Sequence, residues 1–280
     1  MGICILPQEI VVSSSGPPKG KTLNEYTWEE ISYISSNGLA GEYGFQVGDA
    51  KVITLNGTVG ALTLNNYQTY AYIIGINHNA ALEGDNLIHF QLAKTALSGG
   101  TDICFTDSSY NSSGSSAAFR MNTSRANSGG WNSSYMRNNI CGTSKTSTSG
   151  RIMGAIPADL RNALKSVTKY TDNTANGGGS VSSYVTATTD YFFLLSEYEV
   201  FGNITYSNTY EANYQQQYAY YSAGNSKVKY QHNSTGSAAN WWLRSPRAGN
   251  SSAFVNVHTG GTVYYYNARN SLGFAPCFCV

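Results

Sequence analysis

Trp241-Trp242-Leu243-Arg244-Ser245-Pro246 and Gly273-Phe274-Ala275-Pro276-Cys277-Phe278-Cys279-Val280 are the two stretches on which the fold reading turns. Both are dense in large apolar side chains, which favours burial. Between them lies Arg247 to Leu272, RAGNSSAFVNVHTGGTVYYYNARNSL, built largely from Asn, Ser, Gly, Ala and Tyr. In such a composition rigid amphipathic aromatics supply contact area and small polar residues supply adaptable hydrogen bonds, as in an antibody paratope. A stiff frame around an adaptable segment points to recognition of a partner rather than to catalysis.

Working outward, 280 residues suit one large domain or two small ones and can bury a sizeable core. Charged residues make up 12% of the chain, about half of the usual ~25%. The formal net charge of +1 leaves no electrostatic footprint for nucleic acid or an anionic membrane. Solubility must come instead from Ser, Thr, Asn and Gly, and with 22 Tyr the profile fits an extracellular or virion surface. No apolar stretch approaches the roughly 18 residues of a membrane span. The start, MGICILPQEIVV, has no basic region and its apolar run is cut at Pro7, so it does not read as a signal peptide. Leu6 stands where myristoylation of Gly2 requires Ser or Thr. The five cysteines (Cys4, Cys104, Cys141, Cys277, Cys279) are odd in number and too few for a disulfide scaffold. Cys277 and Cys279 share one face of a strand and read as packed small hydrophobes rather than a metal pair. No metal and no cofactor is expected.

Residues 1–22 read as an N-terminal arm and linker, ending in Ser13-Ser14-Ser15-Gly16-Pro17-Pro18-Lys19-Gly20. A single domain then spans 23–280. It opens at Thr27-Trp28-Glu29-Glu30, a capping box in which Thr27 caps a helix and Glu30 reaches back to it. Trp28, Ile31, Tyr33 and Ile34 form the apolar stripe of that helix, and Gly38 ends it. Strand-like runs follow at Lys51–Leu55, Tyr70–Ile76 and Asn86–Leu92. A Ser/Asn/Gly-rich tract at 106–150 holds Gly129-Gly130-Trp131 and a helical patch, Ser134–Ile140. The second main helix is placed over Pro157–Lys169, with Leu160, Leu164 and Val167 on one face. Polar tracts at Thr171–Thr189 and Asn203–Asn240 flank a buried strand, Tyr191–Leu195. The expected class is α+β: two main helices, short antiparallel strands and long polar loops that carry the function.

Several of these blocks resemble, in order, a bacterial and phage domain related to the C-type-lectin-like fold, in its formylglycine-generating-enzyme-like branch. The carrying residues are Val47-Gly48-Asp49, Gly129-Gly130-Trp131 with Met136-Arg137, and Ile156-Pro157-Ala158-Asp159-Leu160 leading to Val167-Thr168-Lys169. Phe193-Leu194-Leu195-Ser196-Glu197 with Glu199-Val200-Phe201-Gly202 comes next, followed by Trp241-Trp242-Leu243-Arg244-Ser245-Pro246. Coverage runs from about residue 23 onward. The 241–280 block is most similar to the variable proteins of diversity-generating retroelements, in which adenine-specific mutagenesis rewrites codons of a lectin-like domain. That resemblance implies binding of diverse ligands, as in phage tail receptor-binding proteins.

Edited codons that start as AAC or AAT and keep their final pyrimidine can never encode Lys, Glu, Gln, Met or Trp. Residues 247–272 contain none of these, although they make up 34 of the 280 residues. A window of this length avoids them by chance only about 4% of the time. The resemblance therefore places edited, ligand-facing positions at Arg247, Ala248, Gly249, Ser252, Ala253, His258, Thr262, Tyr264, Tyr265, Tyr266, Asn267, Arg269 and Leu272. Phe254, Val257, Gly261, Val263, Ala268 and Gly273 read as scaffold, with Trp241, Trp242, Leu243 and Arg244.

More ordinary roles are assigned elsewhere. Trp241 and Trp242 read as core rather than sugar-stacking platforms, and Arg244 as a structural ion-pairing residue. Strand alternation would expose Tyr264 and Tyr266 and bury Tyr265, or the reverse, so the tyrosine row need not contact ligand along its whole length. His258 has no nearby partner for a metal. His78 and His89 read as structural histidines, and Glu197 and Glu199 as helix-start or core-anchoring residues. The leading functional expectation is a hypervariable receptor-binding adhesin of a phage tail, or of an exposed bacterial surface, and not an enzyme. Its partner would be a host-surface protein or glycan, with neither nucleic acid nor membrane involved, and residues 1–22 could dock it to a virion. The alternatives are a formylglycine-generating-type enzyme, which needs reactive cysteines in a cleft, and a non-diversified glycan-binding adhesin. No Asp or Glu follows Glu211, so the acidic calcium-and-sugar motif of C-type lectins is not evident.

Overall fold

Helix α1 (Trp28–Ser36) starts where its capping box requires: the Thr27 hydroxyl accepts from Glu30 N at 3.1 Å, and the Glu30 carboxylate accepts from Thr27 N at 2.7 Å. Trp28, Ile31 and Ile34 are buried, whereas Tyr33 is 39% exposed and lies off the buried stripe. The computed structural model describes residues 16–114 and 116–280. Gly2, Cys4 and most of the expected arm lie outside the described residues. The described part of that arm is packed, not loose: Pro17 O accepts from Tyr43 OH at 2.7 Å and Pro18 O from Tyr26 OH at 3.0 Å.

In chain order the strands are β1 (Ala50–Val59), β2 (Leu62–Ile76), β3 (Ile88–Lys94), β4 (Ile103–Cys104), β5 (Val167–Asp172), β6 (Val185–Asp190) and β7 (Phe192–Phe193). They continue with β8 (Lys229–Gln231), β9 (Ser234–Ala239), β10 (Trp241–Pro246), β11 (Ala253–Val257), β12 (Val263–Asn267) and β13 (Cys277–Cys279). The five-stranded sheet runs β1-β2-β3-β13-β7, antiparallel throughout. Phe278 of β13 stacks on Phe90 of β3 with ring centroids 5.3 Å apart, and Trp28 meets Phe90 edge-on at 5.4 Å, seating α1 on this sheet. Smaller sheets are β10-β11-β12, β4-β8-β9 and the β5-β6 hairpin; β4 and β8 pair in parallel.

Short helices fill the connections: α2 (Ala80–Glu83), α3 (Gly130–Ser133), α4 (Ile152–Ala155), α5 (Ala158–Ala163), α6 (Glu197–Phe201) and α7 (Ala219–Ser222). The helix expected over Pro157–Lys169 is only α5. Leu164 is already extended at φ −54°, ψ 136°, Lys165 N donates to Cys279 O at 2.9 Å, and Val167 opens β5. The β-branched residues of β5 find a matching partner in β6, Val-Thr-Ala-Thr-Thr-Asp, so the polar tract Thr171–Thr189 is in part a hairpin rather than a loop. The helical patch near Ser134 is a wide π-type turn over Met136–Cys141. Asn203–Asn240 likewise contains α7, β8 and β9.

The motif Gly129-Gly130-Trp131 ties these pieces together. A Cβ on Gly130 would lie 1.9 Å from Asp172 O, so only glycine fits there. Trp131 Nε1 donates to Asp190 at 3.0 Å and Arg137 Nε to the same carboxylate at 2.6 Å, joining this loop to β6. The architecture is mixed α+β. Among the described residues, no helix is long and apolar enough to cross a membrane.

Candidate functional site

The candidate face is built on β10, β11 and β12, and β10 anchors it. Trp241, Trp242, Leu243 and Arg244 are fully buried. Trp242 Nε1 donates to Phe119 O at 2.8 Å and Trp241 Nε1 to Lys227 O at 3.0 Å, so each indole satisfies its one polar group. Arg244 donates to Thr171 Oγ1 at 2.8 Å, to Leu194 O at 2.9 Å, and through both terminal nitrogens to the Glu199 carboxylate (Nη2–Oε1 2.9 Å). Glu199 also closes the capping box of α6 by accepting from Ser196 N at 2.9 Å. Burial would raise the Glu199 carboxyl, but Arg244 and Lys169 outweigh it and hold it well below the usual carboxylate range.

Beneath this anchor lies a buried polar cluster. Lys169 Nζ sits 2.5 Å from Glu83 Oε2, 3.0 Å from Glu199 Oε1 and 2.8 Å from Tyr218 OH. His78 stacks on Tyr218 at 3.6 Å, and His89 Nδ1 lies 2.9 Å from Tyr218 OH. Donor atoms of His78, Glu83 and Glu199 fall within 4.8 Å of one another, but the Lys169 ammonium already bridges the two carboxyl groups and Arg244 pairs with Glu199. Burial lowers His78 to about 3 and His89 well below its ordinary value, so both rings are neutral. Arg244 and Glu199 fill the ion-paired structural roles expected of them, and His78 and His89 are buried as expected, but the Nε2 atom of each ring lacks a hydrogen-bond partner among the described residues.

β11 is buried along its whole length, and β12 forms the outer edge. The register is Ala253↔Asn267, Phe254↔Tyr266, Val255↔Tyr265, Asn256↔Tyr264 and Val257↔Val263. Tyr264 is the most open of the row at 41% exposed; Tyr265 and Tyr266 are half-buried, so simple alternation of exposed and buried rings does not hold. Tyr264 stacks on Tyr265 at 5.0 Å, meets Tyr266 at 5.5 Å and meets the His258 ring at 5.8 Å. The Arg247 guanidinium lies 3.6 Å from the Tyr265 ring centroid.

Among the other expected positions, Gly249 and Thr262 are exposed, and Arg247, Ala248, Ser252, His258, Asn267 and Arg269 are half-buried. Two positions do not face outward. Ala253 is buried on β11, where its carbonyl accepts from Arg247 N at 3.0 Å and from Asn127 Nδ2 at 2.9 Å. Leu272 is fully buried in the core, with its N–H on Phe119 O at 3.1 Å. Both belong with the frame. Of the expected scaffold, Phe254, Val257 and Ala268 are buried, and Gly261 and Val263 are half-buried. A Cβ on Gly273 would lie 2.2 Å from Cys104 Sγ and 3.0 Å from Asn240 O, so the return into β13 needs glycine.

One contributor was not visible from the sequence. Tyr206 packs edge-on against Tyr265 at 4.9 Å, and its carbonyl accepts from Ala248 N at 2.8 Å. Glu197 holds the surrounding turn, accepting from Thr205 N at 2.6 Å and Ser207 N at 2.7 Å. Residues 122–127 buttress the face from another side: Asn122 N donates to Ala268 O and Asn127 N to Ser251 O, each at 2.9 Å.

Thiol chemistry has less to work with. Cys277 and Cys279 are fully buried, and burial pushes both thiols up, although Cys279 Sγ lies 3.3 Å from His89 Nδ1. A cleft of about 860 Å³ is lined by residues 20–24, 43–46, 48–50, 94 and 97–99 with Tyr220 and Asn225, and it includes none of the expected ligand-facing positions.

Fold and face together define an α+β domain that carries a tyrosine-rich sheet edge on a buried frame. Residues 110–280, more than half of the chain, match the family model described as a domain of unknown function, DUF6273. The chain belongs to that family. No curated protein and no solved structure matches it.

Proposed function

We propose that this protein is a hypervariable ligand-binding protein with a C-type-lectin-like fold of the formylglycine-generating-enzyme-like branch. Its segment 247–272 is diversified by a retroelement, and it acts as a receptor-binding adhesin, displayed on a phage tail or an exposed bacterial surface. The observation that carries the reading is the division of labour around β12. Eleven of the thirteen expected positions keep contact with solvent, on that strand, beside its ends and in the β10–β11 loop, while the flanking frame is fully buried. Side chains at the exposed positions Thr262 and Tyr264 can change without unfolding the domain, because exposed substitutions cost within about 0.5 kcal/mol, whereas Gly249, at φ +67°, disfavours a side chain. The face is a sheet edge and not a deep pocket, which suits a macromolecular partner such as a host-surface protein or glycan.

The deciding experiment is sequencing of the neighbouring DNA. The expected result is a near-identical template repeat whose mismatches to codons 247–272 fall at its adenines, beside a reverse transcriptase gene. A repeat whose mismatches ignore adenine would defeat the reading. Among the described residues, the buried Cys279–His89 contact is the feature that favours a thiol enzyme instead. Conversion of cysteine to formylglycine in a co-expressed sulfatase peptide, detected by mass, would establish that reading in its place.

A further inference from the structure

The edge of β12 is open in both backbone and charge. His258 N donates to Thr262 O at 2.7 Å and Ala268 N to Ser252 O at 2.9 Å, which fixes 258/262 and 252/268 as hydrogen-bonded pairs of the β11–β12 ladder. Hydrogen-bonded pairs alternate with non-bonded ones in an antiparallel ladder, so Phe254/Tyr266 and Asn256/Tyr264 are also bonded. Val263, Tyr265 and Asn267 therefore turn their N–H and C=O groups away from β11. Asn267 O is taken by Asn270 N at 2.9 Å, but the main-chain groups of Val263 and Tyr265 have no partner among the described residues. Edge strands are usually blunted by Pro, Lys, a bulge or a covering element. Val-Tyr-Tyr-Tyr-Asn carries neither Pro nor Lys, and its register is unbroken.

The charges around this edge are of one sign. The Arg247 guanidinium sits over the Tyr265 ring in the middle of the strand, 3.6 Å from its centroid, and Arg269 follows the strand's end. Arg125 is exposed in the loop whose neighbours Asn122 and Asn127 bond to Ala268 and Ser251. Lys227 lies at the opposite end, beside Gly261. Among the described residues, none of these four cations has a carboxylate within ion-pairing distance, and Arg269 Nε is buried without any partner. No acidic residue follows Glu211, which is itself buried and bonded to Ser245 and Asp172 N. Asp107, the acid nearest the Ser271 turn, is filled by Ser109, Ala118 N and Ser271.

We propose that the partner of this face is an extended acidic peptide segment, which adds as a strand along β12 and places its carboxylates on Arg247 and Arg269. The open edge supplies main-chain pairing, the tyrosines supply contact area, and the unpaired guanidinium groups supply selectivity for acid. Backbone pairing is what favours a peptide over an anionic polysaccharide. The inference rests on the proposed binding function and narrows its partner class.

The test is fluorescence anisotropy on the full chain with a labelled peptide of alternating Glu and Val about eight residues long. The Lys–Val counterpart and dextran sulfate serve as comparison probes. Binding to the Glu–Val peptide is expected, weakening as salt rises and by about tenfold in each of Arg247→Ser and Arg269→Ser. Val263→Pro, which removes one outward N–H, is expected to weaken the peptide and leave any dextran sulfate binding unchanged; circular dichroism verifies that it is folded. The proposal is overturned by no Glu–Val binding, by equal Lys–Val binding, by unchanged affinity in both arginine variants, or by dextran sulfate binding without peptide binding. Wholesale replacement of Thr262, Tyr264 and Arg269 separates the two readings. A fold that survives this, with no acidic peptide bound by the parent, retires only the present inference. A fold that collapses retires the hypervariable reading even if the parent binds the peptide.

Discussion

Arg244 and Arg247 are three positions apart and should respond to mutation in opposite ways. Arg244→Ala leaves the Glu199 carboxylate buried with only Lys169 to balance it, and removal of one partner from a buried pair costs about 3–5 kcal/mol. Arg247→Ala sits on the outer face and should stay within about 0.5 kcal/mol. Urea midpoints of the two variants check this, and equal destabilisation would contradict the frame-and-face division. Cys104, Cys141, Cys277 and Cys279 are all buried, so alkylation followed by peptide mass analysis should modify them only after unfolding. The structural roles of Arg244, Glu199 and the two tryptophans could be read from the sequence because an arginine or a carboxylate set among apolar neighbours must be paired. Ala253 and Leu272 are wrongly assigned to the face by the sequence alone, because the expected editing pattern permits Ala and Leu and the core accepts them equally. Tyr206 gave no signal at all, since its place beside Tyr265 is made by tertiary packing across the chain.

Among the elements, α1 and the segment after Pro157 show what a pattern can and cannot decide. The capping box of α1 is a local device, written in adjacent residues, and it forms where the sequence places it. Thr27→Ala should therefore cost about 1 kcal/mol of stability, measurable by denaturant unfolding. The spacing of Leu160, Leu164 and Val167 fits a helix face, yet all three are buried while Val167 belongs to a strand. A burial pattern alone does not distinguish those outcomes; the β6 partner and the Cys279 carbonyl, both distant in sequence, do. The same contrast separates β12 from the residues that follow it. Thr262→Ser with Tyr264→Ser should leave the thermal midpoint nearly unchanged, whereas Leu272→Ala should cost about 2–5 kcal/mol. Calorimetry on both variants tests the assignment of Leu272 to the core.

For the molecule entire, the buried titratable groups set an acid limit. His78 and His89 are neutral in the fold, while an unfolded chain protonates them below about 6.5. Their contribution is complete above that pH and is lost as pH falls toward 3. Glu83 and Glu211, raised by burial to about 7, act in the opposite sense: the fold takes up their protons before the unfolded chain does, so their contribution grows as pH falls from 7 to 4.5. The two effects oppose each other down to about 4.5. Below that point the histidines and the depressed Glu199 carboxyl act together. Stability measured by urea midpoint should vary little from pH 7 to about 4.5 and drop steeply beneath it; a steady gain down to pH 3 would contradict the buried cluster.

Strand β13 carries a consequence for any change made in the face. It lies downstream of residues 247–272 in translation, yet it occupies an interior lane of the largest sheet, between β3 and β7. A ribosome must therefore read through codons 247–272 before that sheet can close. A shifted reading frame or a premature stop in the face deletes the keystone strand, and the product is left unfolded for proteolysis. Copies that fold at all have, by that fact, been proofread for an intact message.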